Sequence, residues 1–137
     1  MYINILVPVD IAHLAEAKQT VDLAINNCAK GKGRVTLLNV IEDIPRWAAA
    51  QLPAGMIEQS KAHAREALES LAGQYEAPVK VEIRAGHTCQ VILDTAREKQ
   101  SELIVMLSHR PGFQEYYLGS TAARVVRHAQ CSVLVVR

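Results

Sequence analysis

Runs of apolar residues alternate along this chain with segments whose apolar residues recur every three or four positions. A short apolar run is typical of a strand buried on both faces of a sheet, and the three-four spacing predicts an amphipathic helix. Residues 79–84 differ, because apolar and charged side chains alternate there, as in a half-exposed or edge strand. The pattern predicts strands at 3–9, 35–41, 79–84, 103–107 and 131–136, with helices at 14–28, 56–75, 88–96 and 120–128.

Strands that alternate with helices form mostly parallel sheets, because each helix carries the chain back so that the next strand runs in the same direction as the last. We therefore predict an α/β, Rossmann-like fold, with a five-stranded parallel sheet and helices on both faces. Residues 42–55 are expected to be irregular, since Pro45, Pro53 and Gly55 interrupt them. Thr88 is the candidate N-cap of the helix at 88–96, and Ser120 or Thr121 is expected to open the last helix.

The length of 137 residues predicts one domain spanning residues 1–137. A formal net charge of +1 gives no general attraction to nucleic acid or to an anionic membrane, so we expect neither as a partner. Cys28, Cys89 and Cys131 lie far apart, which fits a reducing cytosol and argues against a disulfide framework or a zinc site. Without a secretory signal or an apolar run of roughly 20 residues, the expected location is cytoplasmic.

Ligands of such sheets bind beyond the carboxyl ends of the strands, so the residues directly after each strand are the candidates. Pro8, Val9 and Asp10 follow the first strand, and the Asp10 carboxylate can accept hydrogen bonds from a ribose hydroxyl or a base amine. Asp10 can equally cap the following helix. After the second strand, the backbone of Asn39 and Val40 can pair with the edge of a base.

The segment after the fourth strand leads to a helix N-terminus, where backbone amides and the helix dipole favour an anion. Gly119 permits close backbone approach, and the neighbouring hydroxyls can bind phosphate. The alternatives are that Ser120 is an ordinary N-cap and that Arg110 is a solvated surface residue. No nucleophile or carboxylate pairs with His109, so no catalytic residue is predicted. The candidate contacts here are Ser108, His109, Arg110, Gly119, Ser120 and Thr121.

Four blocks resemble the universal stress proteins of the UspA superfamily, over essentially the whole chain. They are INILVPVD, VTLLNVI, Ala85-Gly86 with the following QVILDTARE, and LIVMLSHRP through LGSTAARVVRHAQCSVLVVR. The resemblance implies the strand order 3-2-1-4-5 and a homodimer through the last strand, with a tetramer of paired dimers left open. It also implies ATP or AMP, with or without Mg²⁺, as the ligand. Carried onto this chain, it assigns the nucleoside to Pro8, Val9, Asp10 and Val40, and the ribose and phosphates to Ser108, His109, Arg110, Gly119, Ser120 and Thr121.

The loop after the fourth strand departs from the ATP-binding members, which show Gly, two residues, Gly, nine residues, then Gly with Ser or Thr. Leu107 and Arg110 stand at the first two glycine positions, the spacer is eight residues long, and Gly119-Ser120 is intact. The missing glycines remove part of a backbone phosphate cradle, while Arg110 can supply a charge instead. The Ser-His-Arg-Pro form with a later Leu-Gly-Ser resembles an F-type bacterial subgroup regarded as nucleotide-binding. The leading interpretation is therefore a nucleotide-binding stress or signalling module.

The altered glycine loop also favours an alternative, a dimeric stress protein that acts through protein contacts without nucleotide. An ATP pyrophosphatase needs a Ser-Gly-Gly loop after the first strand, where this chain has residues 10–13 (DIAH). The Walker motif is also missing, so an enzyme is not favoured, although slow ATP hydrolysis stays open. A phosphoacceptor receiver is excluded because residues 85–87 (AGH) follow the third strand. The apolar segment around Trp47 is either a lid or partner surface, or local packing over the sheet mouth.

Overall fold

The computed structural model describes residues 1–108 and 118–137. Its strands are β1 (Asn4–Pro8), β2 (Arg34–Glu42), β3 (Val79–Gly86), β4 (Leu103–Leu107) and β5 (Ser132–Val136). Its helices are α1 (Leu14–Asn27), α2 (Arg46–Ala49), α3 (Met56–Ala72), α4 (Thr88–Glu98) and α5 (Ser120–His128), with a 3₁₀ turn at Ile11–His13. The strands form one parallel sheet in the order β3-β2-β1-β4-β5, which confirms the predicted fold class and strand order.

The sheet has a buried core on each face, because side chains along a strand point alternately to the two sides. Ile5 and Val7 of β1 pack on the side of α1 and α3, where Leu68 of α3 is fully buried. Leu6 of the same strand packs on the other side, against Ile92 of α4. The two cores explain why the central strands are apolar at most positions rather than only at alternate ones.

The winding direction of the sheet reverses between β1 and β4. From β1 the chain winds outward through β2 to β3, and it then crosses back to place β4 on the other side of β1. Neighbouring loops therefore diverge at the carboxyl ends of β1 and β4. In a doubly wound sheet this divergence leaves a crevice, and it fixes where a ligand can enter.

Several element ends differ from the expected ones. α3 ends at Ala72, three residues before Tyr75, and the backbone at Gly73 closes the helix by donating to the Glu69 carbonyl. The segment 42–55 contains the four-residue helix α2, which follows Pro45. Thr88 is the first residue of α4 rather than its N-cap, which is His87.

The Thr88 hydroxyl has a different role from the predicted one. Its Oγ1 donates a 2.9 Å hydrogen bond to Glu42 Oε1, so it ties the start of α4 to the end of β2. Ser120 opens α5 as predicted, and Gly119 occupies the N-cap position, so the alternative that Ser120 is the N-cap is wrong. Both helices therefore begin without a side-chain cap.

Two backbone positions have positive φ angles that shape the turns around α4. Gly86 has φ 144°, and a Cβ there would lie 2.8 Å from a methyl group of Val91. Gln100 has φ 53° at the end of α4, and the following Ser101 N–H donates to the Ala96 carbonyl at 2.8 Å. This is the hydrogen bond of a Schellman motif, whose left-handed residue is usually glycine.

A polar cluster joins the residues after α3 to α1. Tyr75 Oη donates a 2.6 Å hydrogen bond to Asp22 Oδ1, and Lys18 Nζ lies 3.2 Å from the same oxygen. The Tyr75 hydrogen bond is the main cause that lowers the pKa of Asp22, with a further contribution from Lys18 against the effect of burial. The cluster fixes how the chain leaves α3 before it enters the edge strand β3.

Candidate functional site

A cleft of about 650 Å³ opens at the carboxyl edge of the sheet. Its walls come from the ends of β1, β2 and β4 and from the N-terminal turns of α1, α4 and α5. The volume lies within the range of about 300–1,000 Å³ that is usual for small-molecule sites. The cleft therefore occupies the place where the winding of the sheet predicts a ligand.

Eight of the ten residues predicted as ligand contacts line this one cleft. His109 and Arg110, the other two, lie outside the described residues. The structure thus brings together residues that are more than 100 positions apart in the chain. The eight are Pro8, Val9, Asp10, Val40, Ser108, Gly119, Ser120 and Thr121.

One part of the cleft wall is apolar. Ile92, Met106 and Ala122 are buried and line the cleft together with Leu38 and the half-buried Val40. These residues belong to α4, β4, α5 and β2, so four elements build one apolar surface. A flat, largely apolar group such as a nucleobase can bury area against such a wall.

Asp10 combines the two roles that the sequence left open. Its Oδ1 accepts a 2.9 Å hydrogen bond from the Ala12 N–H, so it does cap the short 3₁₀ turn. The carboxylate is nevertheless exposed and lines the cleft, and its Oδ2 has no hydrogen bond in the described part of the chain. The capping bond fixes the carboxylate while one oxygen remains available to a ligand.

Asn39 contributes through its side chain, where the sequence had indicated only its backbone. Its Nδ2 donates a 2.9 Å hydrogen bond to the Val9 carbonyl, and both residues are buried. The Val9 N–H in turn donates to the Leu38 carbonyl at 2.8 Å. Asn39 therefore holds the last part of the β1 chain against β2 at the base of the cleft.

The N-terminus of α5 lies at the cleft, on the side of β4. The Gly119 N–H donates to the Ser108 carbonyl at 2.7 Å, and the Ser108 N–H donates to the Val136 carbonyl at 2.7 Å. These bonds connect the helix start to the ends of both β4 and β5. Ser120 is exposed and Thr121 half-buried, so both hydroxyls are accessible from the cleft.

The charges of the described lining are few. Asp10, His13 and Glu42 are its ionisable side chains, and the lining within residues 1–108 and 118–137 contains no Lys or Arg. The N-termini of α1, α4 and α5 all contribute to the lining, and no side chain caps any of the three. Positive potential for an anion therefore comes from backbone dipoles in this part of the site.

Among the described residues, no group of three His, Cys, Asp or Glu side chains is arranged to hold a metal ion.

The Trp47 segment stays at the surface. The Trp47 side chain is 73 % exposed on α2, and Ile44, Met56 and Ile57 nearby in sequence are also exposed. The interpretation of Trp47 as packing over the sheet mouth is therefore wrong, and Trp47 does not line the cleft.

In the part of the chain that the structure describes, none of the helices combines the length and the apolar character that a membrane span needs.

Comparison with known proteins agrees with the fold. The model of the universal stress protein family matches residues 1–137, so the chain belongs to this family. It is 29 % identical to universal stress protein G of Salmonella typhimurium, with all of both chains covered.

Two solved structures illustrate the similarity of fold. Universal stress protein UspA from Lactobacillus plantarum has a TM-score of 0.80 and 28 % identity, with 99 % of this chain and 98 % of that chain covered. A universal stress protein in complex with cAMP has a TM-score of 0.69 and 18 % identity, covering 99 % and 97 % of the two chains. The second similarity concerns the fold alone.

Proposed function

We propose that this chain is a universal stress protein that binds an adenine nucleotide, ATP or AMP, and acts as a stress-response or signalling module. The observation that carries the proposal is that eight of the predicted contacts, from three strand ends and the start of α5, line one cleft. The family includes a member in complex with cAMP, itself an adenine nucleotide, which supports the same ligand class. The proposed unit is one cytoplasmic domain of residues 1–137.

The two parts of the cleft wall suit the two parts of a nucleotide. The apolar wall around Ile92 and Met106 would bury the base, and the backbone of Val40 would face its hydrogen-bonding edge. Asp10 would accept from the ribose hydroxyls through its free oxygen. The phosphates would lie at the uncapped start of α5, near Ser120 and Thr121.

Thermal unfolding with and without nucleotide tests this proposal. At a nucleotide concentration of 100 times Kd, binding to the folded state alone stabilises it by about 2.7 kcal/mol. For a domain of this size, that corresponds to a rise in Tm of roughly 10 °C. Mg-ATP and AMP are the two ligands to compare, and the absence of any shift at millimolar concentration would refute the proposal.

The variant Ser120→Ala tests whether the phosphates bind at the start of α5. Loss of a hydroxyl that bonds a phosphate oxygen should weaken the binding of ATP by roughly 10- to 100-fold, because hydrogen bonds to charged groups contribute about 1.5–3 kcal/mol. Ser70→Ala is the matched control, since Ser70 is also an exposed helical serine but lies on α3, away from the cleft. Equal losses in both variants would argue against the start of α5 as the phosphate site.

We also propose a reducing, cytoplasmic location, which the state of the thiols supports. Cys28, Cys89 and Cys131 are free, and burial raises the pKa of each thiol. Thiols of this kind stay protonated and unreactive near neutral pH, so they act as small apolar groups. This supports a cytoplasmic protein without disulfide or metal chemistry.

We also propose that the chain forms a homodimer through β5, with a tetramer of two dimers as a further possible assembly. β3 and β5 are the two edges of the sheet. The β3 edge is protected by charge, as in the Arg84–Glu82 pair at 3.0 Å, whereas β5 carries only valines and a leucine after Ser132. An apolar, unprotected edge is a surface for strand pairing.

The dimer can be tested with Val135→Lys, because Val135 is half-buried but belongs to neither core. Light scattering should give a dimer for the wild-type chain and a monomer for the variant. Lys80→Glu on the β3 edge is the control and should leave the dimer intact. A wild-type monomer at micromolar concentration would contradict this part of the proposal.

A second candidate function, a nucleotide-free protein that acts through its partners, is favoured by Leu107. This residue stands at the first glycine position of the ATP-binding members, and its side chain lines the cleft. The same thermal experiment separates the two functions, because only the first predicts stabilisation by nucleotide.

A further inference from the structure

His13 lies at a fixed position in the wall of the cleft. It ends the 3₁₀ turn after β1, and its backbone N–H donates to the Asp10 carbonyl at 3.0 Å. The Asp10 carboxylate accepts from Ala12 in the same turn at 2.9 Å. Two hydrogen bonds to Asp10 therefore fix the turn, and His13 lines the same cleft as that carboxylate.

The imidazole of His13 has no partner within residues 1–108 and 118–137. The residue is half-buried, yet neither ring nitrogen makes a hydrogen bond or an ion pair there. Other polar side chains of the lining are already engaged: Asn39 with the Val9 carbonyl, and Thr88 with Glu42. A half-buried polar group that faces a cleft without a partner is a natural contact for a ligand.

The imidazole also supplies a chemistry that its neighbours lack. Asp10 and Glu42, the other ionisable groups of the described lining, are carboxylates that repel an anion and only accept hydrogen bonds when ionised. A histidine N–H donates. It would approach from the face covered by α1, whereas Ser120 and Thr121 approach from α5 on the opposite face of the sheet.

We propose that His13 is a ligand-contacting residue that donates a hydrogen bond to a phosphate oxygen of the bound nucleotide. This rests on the nucleotide binding proposed above and adds a second, side-chain donor from the α1 side of the cleft. The phosphate would then be held between His13 and the start of α5. Such two-sided contact makes His13 a determinant of affinity for nucleotides over nucleosides.

Calorimetric titration of His13→Ala with AMP, ATP and adenosine tests the proposal. The variant should bind AMP and ATP about tenfold more weakly than the wild type, because a hydrogen bond to a charged oxygen is lost. Its affinity for adenosine, which has no phosphate, should stay within about twofold of the wild type. His13→Gln keeps an N–H donor and should recover part of the lost affinity. His63→Ala, on the exposed face of α3, is the matched control and should change nothing.

The outcomes separate this inference from the proposed function. If the wild type binds AMP and His13→Ala binds it equally well, the inference fails and the proposed function stands. An equal loss for adenosine and AMP overturns it too, because His13 would then only support the cleft structure. If the wild type binds none of the three compounds, both proposals fail. Should His13→Ala not fold, His13→Glu replaces it. This variant should lose even more affinity for AMP and ATP, while its affinity for adenosine should again stay close to that of the wild type.

Discussion

Replacing Asn39 with aspartate tests how the base of the cleft is held together. The change keeps the shape of the side chain but replaces the amide that donates to the Val9 carbonyl with a second acceptor. At neutral pH the variant would place a carboxylate against a carbonyl oxygen at a position that is 7 % exposed. The loss of the bond leaves the buried carbonyl without a donor, and the new charge is buried without a partner.

The expected loss of stability follows from the lost hydrogen bond and the buried charge. An unsatisfied buried carbonyl costs about 1–3 kcal/mol, and an uncompensated buried charge raises the loss to about 3–5 kcal/mol. A domain of this size is stable by about 5–15 kcal/mol in total, so Asn39→Asp should unfold at a much lower urea concentration. Asn39→Ala, which introduces no charge, should lose less.

The pH dependence of the stability of Asn39→Asp shows whether the buried charge causes the loss. Burial raises the pKa of the new carboxyl in the folded state, and a protonated carboxyl can donate to the Val9 carbonyl. The folded state then binds the proton more tightly than the unfolded state, so the variant should regain stability as the pH falls from 8 towards 5. Urea unfolding followed by far-ultraviolet circular dichroism measures this.

Asn26→Asp is the control, because Asn26 is exposed on α1 and makes no side-chain hydrogen bond in the described residues. It should change the free energy of unfolding by less than about 0.5 kcal/mol at any pH in this range. If Asn39→Asp were as stable as the wild type and independent of pH, the amide could not be the donor that fixes Val9.

Three further changes address the fold around the cleft. Tyr75→Phe should lower the free energy of unfolding by about 1 kcal/mol at pH 7, because the hydrogen bond to Asp22 is lost. That bond lowers the pKa of Asp22, so it stabilises the ionised carboxylate. The difference between the variant and the wild type should therefore disappear as the pH falls below 3.8, the ordinary pKa of an aspartate. Gln100→Gly should stabilise by about 0.5–1 kcal/mol, since glycine adopts the φ of 53° without strain. Gly86→Ala should destabilise by more than about 1 kcal/mol, because its φ of 144° and a 2.8 Å methyl contact both oppose a Cβ. Urea unfolding measures all three.

The same substitutions at other positions serve as controls for Tyr75→Phe and Gln100→Gly. Tyr2→Phe should show no comparable pH dependence, because Tyr2 makes no side-chain hydrogen bond in the described part of the chain. Gln19→Gly, at an exposed position inside α1, should lose about 1 kcal/mol where Gln100→Gly gains. A loss for Gln100→Gly of the same size as for Gln19→Gly would contradict the left-handed end of α4, and a neutral Gly86→Ala would contradict the turn before α4.

The strands were predictable because each carries its signal locally. β4 matches its predicted span of 103–107, and β2 extends the predicted 35–41 by one residue at each end. Buried parallel strands are apolar throughout, so the run itself marks the element. The strand ends then pointed to Asp10 and to Gly119-Ser120, which the fold brings to one cleft.

The missed features depend on residues that are distant in the chain. Asn39 donates to a carbonyl 30 residues earlier, and Thr88 donates to Glu42 over 46 positions. No periodicity or local motif encodes such pairs, because they form only when two strand ends and a helix start meet. His13 was missed for a similar reason: a 3₁₀ turn, rather than the start of a regular helix, sets its position at the cleft.

Calorimetric titration of Mg-ATP into the nucleotide-free wild-type chain tests nucleotide binding most directly. We expect one site per chain with a Kd below about 100 μM, and competition by AMP for the same site. Ser120→Ala should weaken this binding, as the start of α5 lines the cleft. The absence of heat and of competition at millimolar Mg-ATP would contradict nucleotide binding and favour a stress protein that acts without nucleotide.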